Sequence, residues 1–253
     1  MSIDISKIPV PPLPTLASLN ATVPDDLDAP KIASEWFDRF SDALQSMNDA
    51  EKAVSLFVED SWWRDTLAFT WDFRTFRGTL AIRTFLQDRI KCIHPRAFKL
   101  RQDLLGLQRP YEDLAWINAL FDFETDMGIG FGIFRLVPTT NGEWKAHVVY
   151  TNLEGLKGSP EKIGALCNSE LNHSYQEEDR NREGEFEDSD PIVLVIGAGQ
   201  SGLAVAARLK AYDISTLVVE RNERIGDNWR NRYDALSLHT PVCKFQFLYT
   251  YVV

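Results

Sequence analysis

Cysteine is scarce in this chain. Cys92, Cys167 and Cys243 are odd in number, far apart and form no CxxC pair, which argues against a disulfide framework and against a zinc site; no metal is expected. No apolar run approaches the length of a bilayer span, so no membrane span is expected. Residues 1–30 carry a single lysine, Lys7, among prolines and acids. They lack the basic start and apolar core of a secretory signal, and a cytoplasmic location is the default expectation. Positive charge is also in deficit: 27 Lys and Arg against 37 Asp and Glu leave a net charge of −10. A nucleic-acid partner is therefore disfavoured, because phosphate binding needs clustered lysine and arginine.

Much of the acidic excess is local. Residues 177–190 hold eight acids against two arginines, and such a stretch cannot bury enough apolar surface to offset the entropy lost on ordering. It reads as part of a solvated acidic linker over 158–190. With 253 residues, the chain has room for two modest domains beside it. The reading is a Pro-rich tail at 1–30, a first domain at 31–157, the linker, a second unit at 191–241 and a separate tail at 242–253.

In the first domain, Ile32, Trp36, Phe37, Phe40, Ala43, Leu44, Met47, Val54 and Phe57 recur at helical spacing and predict an amphipathic helical region, with a break near Asn48-Asp49. Ser61 to Phe69 suits a strand. Gly78 or Thr79 suits the start of a second helix carrying Ile82, Phe85, Leu86 and Ile90. Ala115, Ile117, Ala119, Phe121 and Phe123 alternate with their neighbours, and a second run, Ile129 to Val137, follows Asp126-Met127-Gly128. This pattern predicts a hairpin. Asn141-Gly142 then signals a turn into a strand from Trp144 to Tyr150.

Helices followed by an antiparallel meander describe an α+β cone, a curved sheet wrapped around a long helix. This layout, with Phe57-Val58-Glu59-Asp60, Trp62-Trp63-Arg64-Asp65 and Phe76-Arg77-Gly78, resembles the nuclear-transport-factor-2-like superfamily, which includes ketosteroid isomerases and polyketide cyclases. A carboxylate in an apolar cavity acquires a pKa suited to proton abstraction. Asp65, Asp122 and His147 are the candidate bases. Each also has a plainer reading: Asp65 as a surface or structural partner of Arg64, His147 as a packed or rim residue, Asp122 as an outward residue between Phe121 and Phe123. The cluster Trp62, Trp63, Phe69, Trp71, Phe73 and Phe76 suits core or a dimer face better than a ligand pocket. A homodimer through this domain is a candidate assembly.

The second unit carries a glycine fingerprint, Gly197-Ala198-Gly199-Gln200-Ser201-Gly202, between the apolar run Ile192 to Ile196 and a helix-like stretch with Leu203, Ala206, Ala207 and Leu209. The first glycine permits a tight turn, the second lets backbone N–H groups approach a pyrophosphate, and the third allows close helix–strand packing. A second strand, Ser215 to Val219, ends at Glu220. There a carboxylate accepts hydrogen bonds from the ribose hydroxyls of an adenosine and repels a 2′-phosphate, favouring FAD or NAD over NADP. The alternative is a strand-capping glutamate in a fold that binds nothing.

The residues Ile196 to Gly202, Val219-Glu220-Arg221, Arg224-Ile225-Gly226-Asp227-Asn228-Trp229-Arg230, Tyr233 and Leu238-His239-Thr240-Pro241 resemble the FAD-binding start of flavin-containing monooxygenases. The likeness is in the style of the fungal and plant indole-pyruvate-monooxygenase-like members. It covers about residues 190–241, and fungal chains joining a cone domain to such an FAD unit look similar throughout. Gly226-Asp227 stands where the family usually has two adjacent glycines. The resemblance implies FAD as cofactor and NADPH as reductant, with one atom of dioxygen placed on a small-molecule substrate and the other leaving as water. It implies that Gly197, Gly199, Gln200, Ser201 and Gly202 cradle the pyrophosphate, Glu220 holds ribose, Arg221 flanks adenine, and Trp229 and His239 lie toward the flavin.

The second glycine motif that the family uses for NADPH does not occur, and Val242 to Val253 no longer resemble the family. One account of that tail is a translated intron, since Val242-Cys243 is what a splice donor reads as in frame. A spliced transcript encoding Val242 to Val253 and then a stop would exclude it. The expectation is a cone domain followed by an incomplete Rossmann-type unit, truncated and inactive as this chain. The alternative is a ligand-binding or isomerase/dehydratase cone module with a vestigial dinucleotide stub.

Overall fold

The computed structural model describes residues 12–46, 49–162, 186, 189–232, 246–247 and 250–251. The chain divides into two compact units, Met1–Gly158 and Ser159–Val253.

The first unit contains α1 (Leu16–Leu19), α2 (Ala29–Gln45), α3 (Ala50–Ser55), β1 (Phe57–Thr66), β2 (Phe73–Arg77), α4 (Gly78–Ile93), β3 (Arg96–Leu100), β4 (Gly106–Tyr111), β5 (Leu114–Glu124), β6 (Gly128–Pro138) and β7 (Trp144–Leu156). Asp28 starts α2 by accepting the Lys31 N–H, and Pro30 lies in the first turn, where its missing N–H costs nothing. The helix buries Ala29, Ala33, Trp36, Phe37, Phe40 and Leu44, a single apolar stripe. Its end at Ser46 and the Asp49 cap of α3 put the break where the sequence suggests it.

The sheet runs β2-β1-β7-β6-β5-β3, with β4 also paired to β5. Only β1 and β7 are parallel among these neighbours. The β5–β6 hairpin and the Asn141-Gly142 turn into β7 follow the sequence pattern. Phe57 lies in β1 and not on a helix, and β2, β3 and β4 are strands that periodicity does not announce. The architecture is the α+β cone, with α2 against the concave face.

Aromatic rings fill that face. Trp36 lies 4.8 Å from Phe40 and 4.6 Å from Phe134, and Phe37 lies 5.4 Å from Phe121. Such pairs add stabilisation to the burial of the rings themselves. Room for Phe121 comes from Gly132 on the facing strand: a Cβ there would sit 2.2 Å from the Phe121 ring and 2.7 Å from the Tyr150 carbonyl.

A register shift marks β7 where Arg135 and Leu136 face Val148 and Ala146, leaving His147 as the extra residue of a bulge. The bulge changes which alternate residues point inward, from Trp144 and Ala146 to Val149 and Thr151. The segment 12–28, expected as part of a tail, is attached to the sheet. Asp113 accepts the Leu16 and Ala17 N–H groups, and Arg109 donates to the Val23 carbonyl.

In the second unit, β8 (Val193–Ile196), α5 (Gln200–Ala211) and β9 (Thr216–Val219) form one βαβ element with parallel strands, Val193 opposite Thr216 and Ile196 opposite Val219. A short α6 (Asp227–Arg230) follows, and β10 (Gln246–Phe247) and β11 (Thr250–Tyr251) pair antiparallel. Most of the expected acidic linker, with Cys167 and Cys243, lies outside the described residues. No helix among the described residues is long and apolar enough to cross a membrane.

Candidate functional site

The fingerprint turn joins β8 to α5. Gly197 has φ +99° and its N–H extends the strand ladder to the Val219 carbonyl at 2.7 Å. That backbone region penalises any residue with a Cβ. Gly202 has a different reason to be glycine: a Cβ there would lie 1.9 Å from the Gly197 carbonyl oxygen, so a side chain would push α5 off the turn. Gly199 is the N-cap, with no side chain capping the helix. The first intrahelical bond runs from the Leu203 N–H to the Gly199 carbonyl. The N–H groups of Gln200, Ser201 and Gly202 precede that bond and lack acceptors within the helix. A Cβ on Gly199 would meet only the Asn228 side-chain amide nitrogen, at 3.4 Å. The space over the second glycine is thus open, with one amide at its rim. A helix N-terminus, free backbone donors and room above them suit a pyrophosphate.

Glu220 follows directly on β9. One carboxylate oxygen accepts the Ala198 N–H at 2.7 Å, and the other accepts the Asn222 N–H at 3.1 Å and the Asn222 side-chain amide at 2.8 Å. Hydrogen bonds from the Asn222 and Ala198 backbone hold its pKa below the usual carboxylate range, because they favour the charged form. The sequence places Glu220 at the strand end; the structure adds that it ties the fingerprint turn to the loop after β9.

Gly226, at φ +91°, precedes α6. Asp227 is helical and buried, accepting the Arg224 N–H at 3.2 Å and an Arg230 guanidinium N–H at 2.9 Å. The Arg230 bond is the main cause of its lowered pKa. The Asp227 carboxylate thus ties Arg224 and Arg230 together across the turn. Trp229 is partly exposed, with the Arg232 guanidinium 5.6 Å from its ring centroid. Arg221 is exposed. Tyr233 and His239 lie outside the described residues. The structure brings Gly197 to Gly202, Glu220, Asn222 and Asn228 together. Asn222 and Asn228 escape motif reading; the one available signal is that asparagine favours local side-chain bonds in turns.

The cone candidates meet a different outcome. Asp65 is neither on the surface nor paired with Arg64, which instead donates to the Thr75 hydroxyl. It is fully buried and accepts hydrogen bonds from the Phe69 and Thr70 N–H groups and from the hydroxyls of Thr70 and Thr151. Thr151 in turn accepts the Trp63 indole N–H at 3.0 Å. A carboxylate with its lone pairs so engaged holds the 67–72 loop and has little capacity left to take a proton from a substrate.

Asp122 is half-exposed and paired with Arg101. His147 is half-buried in its bulge; burial lowers its pKa, and Asp60 pulls the other way. The aromatic cluster divides. Trp63 and Phe69 are core, Trp62 lies under the Arg77 guanidinium, and Trp71 and Phe73 are exposed. Among the described residues no three His, Cys, Asp or Glu side chains group as metal ligands.

Residues 195–245 match the family described as NAD(P)-binding Rossmann-like domain. Over 49 residues the chain is 57% identical to an uncharacterized CzcO-like oxidoreductase of Geobacillus kaustophilus, a stretch that is 19% of this chain and 14% of that one. Over 52 residues it is 46% identical to the indole-3-pyruvate monooxygenase YUCCA1 of Oryza sativa subsp. japonica, 20% of this chain and 13% of that one. The match thus spans about one seventh of the length of the curated relatives. A ketosteroid isomerase-like protein of Erwinia carotovora atroseptica has a TM-score of 0.39 at 8% identity, covering 51% of this chain and 98% of that one. A cystatin-like-fold protein of Nostoc punctiforme has 0.38 at 15% identity, covering 49% and 90%. The second unit is thus similar to the dinucleotide-binding part of oxidoreductases, monooxygenases among them.

Proposed function

We propose that residues 191–241 are the ADP-binding entrance of an FAD site, in a flavin monooxygenase-type oxidoreductase that uses NADPH and acts on a small-molecule substrate. The observation that carries this reading is the fingerprint geometry: a left-handed Gly197, a Gly202 that tolerates no Cβ, and open space over Gly199. The named relatives, oxidoreductases and an indole-3-pyruvate monooxygenase, support the same reading.

Gln200, Ser201 and Gly202 would donate backbone N–H groups to the pyrophosphate, with Asn228 at the rim. Glu220 would accept from ribose, Arg221 would flank adenine, and Trp229 and His239 would lie toward the flavin. When bound, FAD would supply the redox chemistry with NADPH and dioxygen, while the protein positions it and excludes water. A cytoplasmic location and a homodimer through the first unit belong to the same proposal. Sedimentation of the purified chain would report the second.

In this reading the chain would bind the cofactor weakly or not at all. Leu194 and Ile196 on β8, Ile192 just before it and Val219 on β9 are exposed, although apolar parallel strands are normally covered on both faces. Titration of the purified chain with ADP and FAD tests the reading. The expected result is weak, saturable binding that Gly202→Val abolishes and no steady NADPH-dependent oxygen uptake. Binding that survives Gly202→Val would overturn it.

A further inference from the structure

The ribose acceptor Glu220 is held in place by a residue that no motif includes. Asn222 donates both its backbone N–H, at 3.1 Å, and its side-chain amide, at 2.8 Å, to the same carboxylate oxygen, while the Ala198 N–H occupies the other at 2.7 Å. A carboxylate offers about four lone-pair sites. Two donors fill the Asn222 side, the Ala198 N–H takes part of the other oxygen and the Arg221 backbone N–H adds a weaker interaction, which leaves acceptor capacity beside the fingerprint turn. Arg221 and Glu223, which flank Asn222, are exposed; Asn222 and Glu220 are half-buried, which favours a fixed bond over a solvated one. A glutamate without such restraint keeps several rotamers and loses part of its directional preference on binding.

The geometry points to Asn222 as a positioning residue that fixes the Glu220 carboxylate for an adenosine ribose and thereby sets discrimination against a 2′-phosphorylated nucleotide. This rests on the dinucleotide reading of the fingerprint and names what decides between ligands there. With the amide in place, the negative charge stays beside the turn, where a ribose diol is welcome and a phosphate is repelled. Without it, Glu220 keeps its backbone N–H donors from Ala198 and residue 222 but is held less firmly beside the turn, so the diol meets a less well placed acceptor and the phosphate a weaker opponent.

The test uses the full chain with ADP-ribose and its 2′-phosphorylated form as probes, and carbon-13 NMR of the Glu220 carboxyl, identified by its loss in Glu220→Gln. In Asn222→Ala, ADP-ribose affinity is expected to fall about fivefold, the size of one ordinary net hydrogen bond. The 2′-phosphorylated probe is expected to change by less than about twofold on the same scale, so the ratio between them contracts. The Glu220 titration midpoint rises by a small step only, because the backbone N–H donors that lower it most remain in place. Asn222→Ser, which keeps a short donor, is expected to restore both the ratio and the midpoint. An unchanged ratio with an unchanged Glu220 titration would overturn the inference while leaving the dinucleotide reading intact. A wild-type chain that binds neither probe would instead overturn that reading, and with it the role of Asn222 in ligand choice.

Discussion

In β5, Ile117, Ala119 and Phe121 have 0% exposure; in β8, Leu194 and Ile196 are 53% and 84% exposed. Both strands are apolar, and both sit next to a helix that begins with a good reason to begin. They differ in what lies over them. The cone closes its sheet onto α2 and α4, so Phe121 meets Phe37 and Phe40, and Phe123 meets Phe69. Among the described residues the βαβ element has one helix and two strands, and α5 covers one face at most. An apolar strand is therefore a demand for a second layer and not a guarantee of a core. The second unit answers its local rules at the turn, where Gly197 and Gly202 take the geometry only glycine allows and Glu220 accepts the Ala198 N–H, and among its described residues no second layer covers the strands.

This contrast can be broken by substitution. Trp63→Ala, in the fully buried aromatic core, should cost about 3–5 kcal/mol, read as a fall in the denaturation midpoint of the first unit. If Trp63→Ala were nearly silent, the cone would be no better packed than the βαβ element. Asp65→Ala should cost about 3 kcal/mol by orphaning buried N–H and hydroxyl donors. Any isomerase or dehydratase turnover that survives in the folded Asp65→Asn variant would confirm that Asp65 is structural; loss of turnover with stability intact would make it a base.

Gly202→Ala places a methyl against the Gly197 carbonyl and should weaken ADP binding at least about tenfold, roughly 1.4 kcal/mol, by titration. Acid should bear on the cone through His147. Its folded pKa lies below the ordinary value of about 6.5, so the folded state binds the proton less well than the unfolded chain. The stability it contributes is complete above that value and is lost as pH falls through it toward the folded pKa. The wild type should therefore lose more stability than His147→Gln between about pH 7.5 and 5, by denaturant melts at each pH. The smallest effect belongs to the open sheet: Ile196→Thr should change stability by less than about 0.5 kcal/mol. A large loss there would mean that the face is covered in solution.

Legibility followed the range of the interactions. The α2 stripe, the β5–β6 hairpin and the Asn141-Gly142 turn were readable because periodicity and turn chemistry act over a few residues. β2 and β4 were not, since they are short and mostly exposed and owe their pairing to β1 and β5. The burial of Asp65 escapes the sequence for the same reason. Beside Arg64 it looks like half of an ion pair, yet strand alternation sends the neighbours to opposite faces, and its partners come from the 67–72 loop and β7. At the nucleotide site, the glycines and Glu220 are legible because each answers a constraint set by its own backbone. Asn222 and Asn228 are visible only once the turns are folded beside the fingerprint.

The chain's residue order was enough to establish a helix-then-meander domain, a dinucleotide-type turn and the acidic stretch between them, because spacing, glycine stereochemistry and charge density are local properties. Which carboxylate is buried, which aromatic rings meet and which apolar strands are exposed all depend on the packing of segments distant in the chain. Burial and hydrogen-bond partnership are properties of the space around a side chain, and neighbours in sequence supply only part of that space.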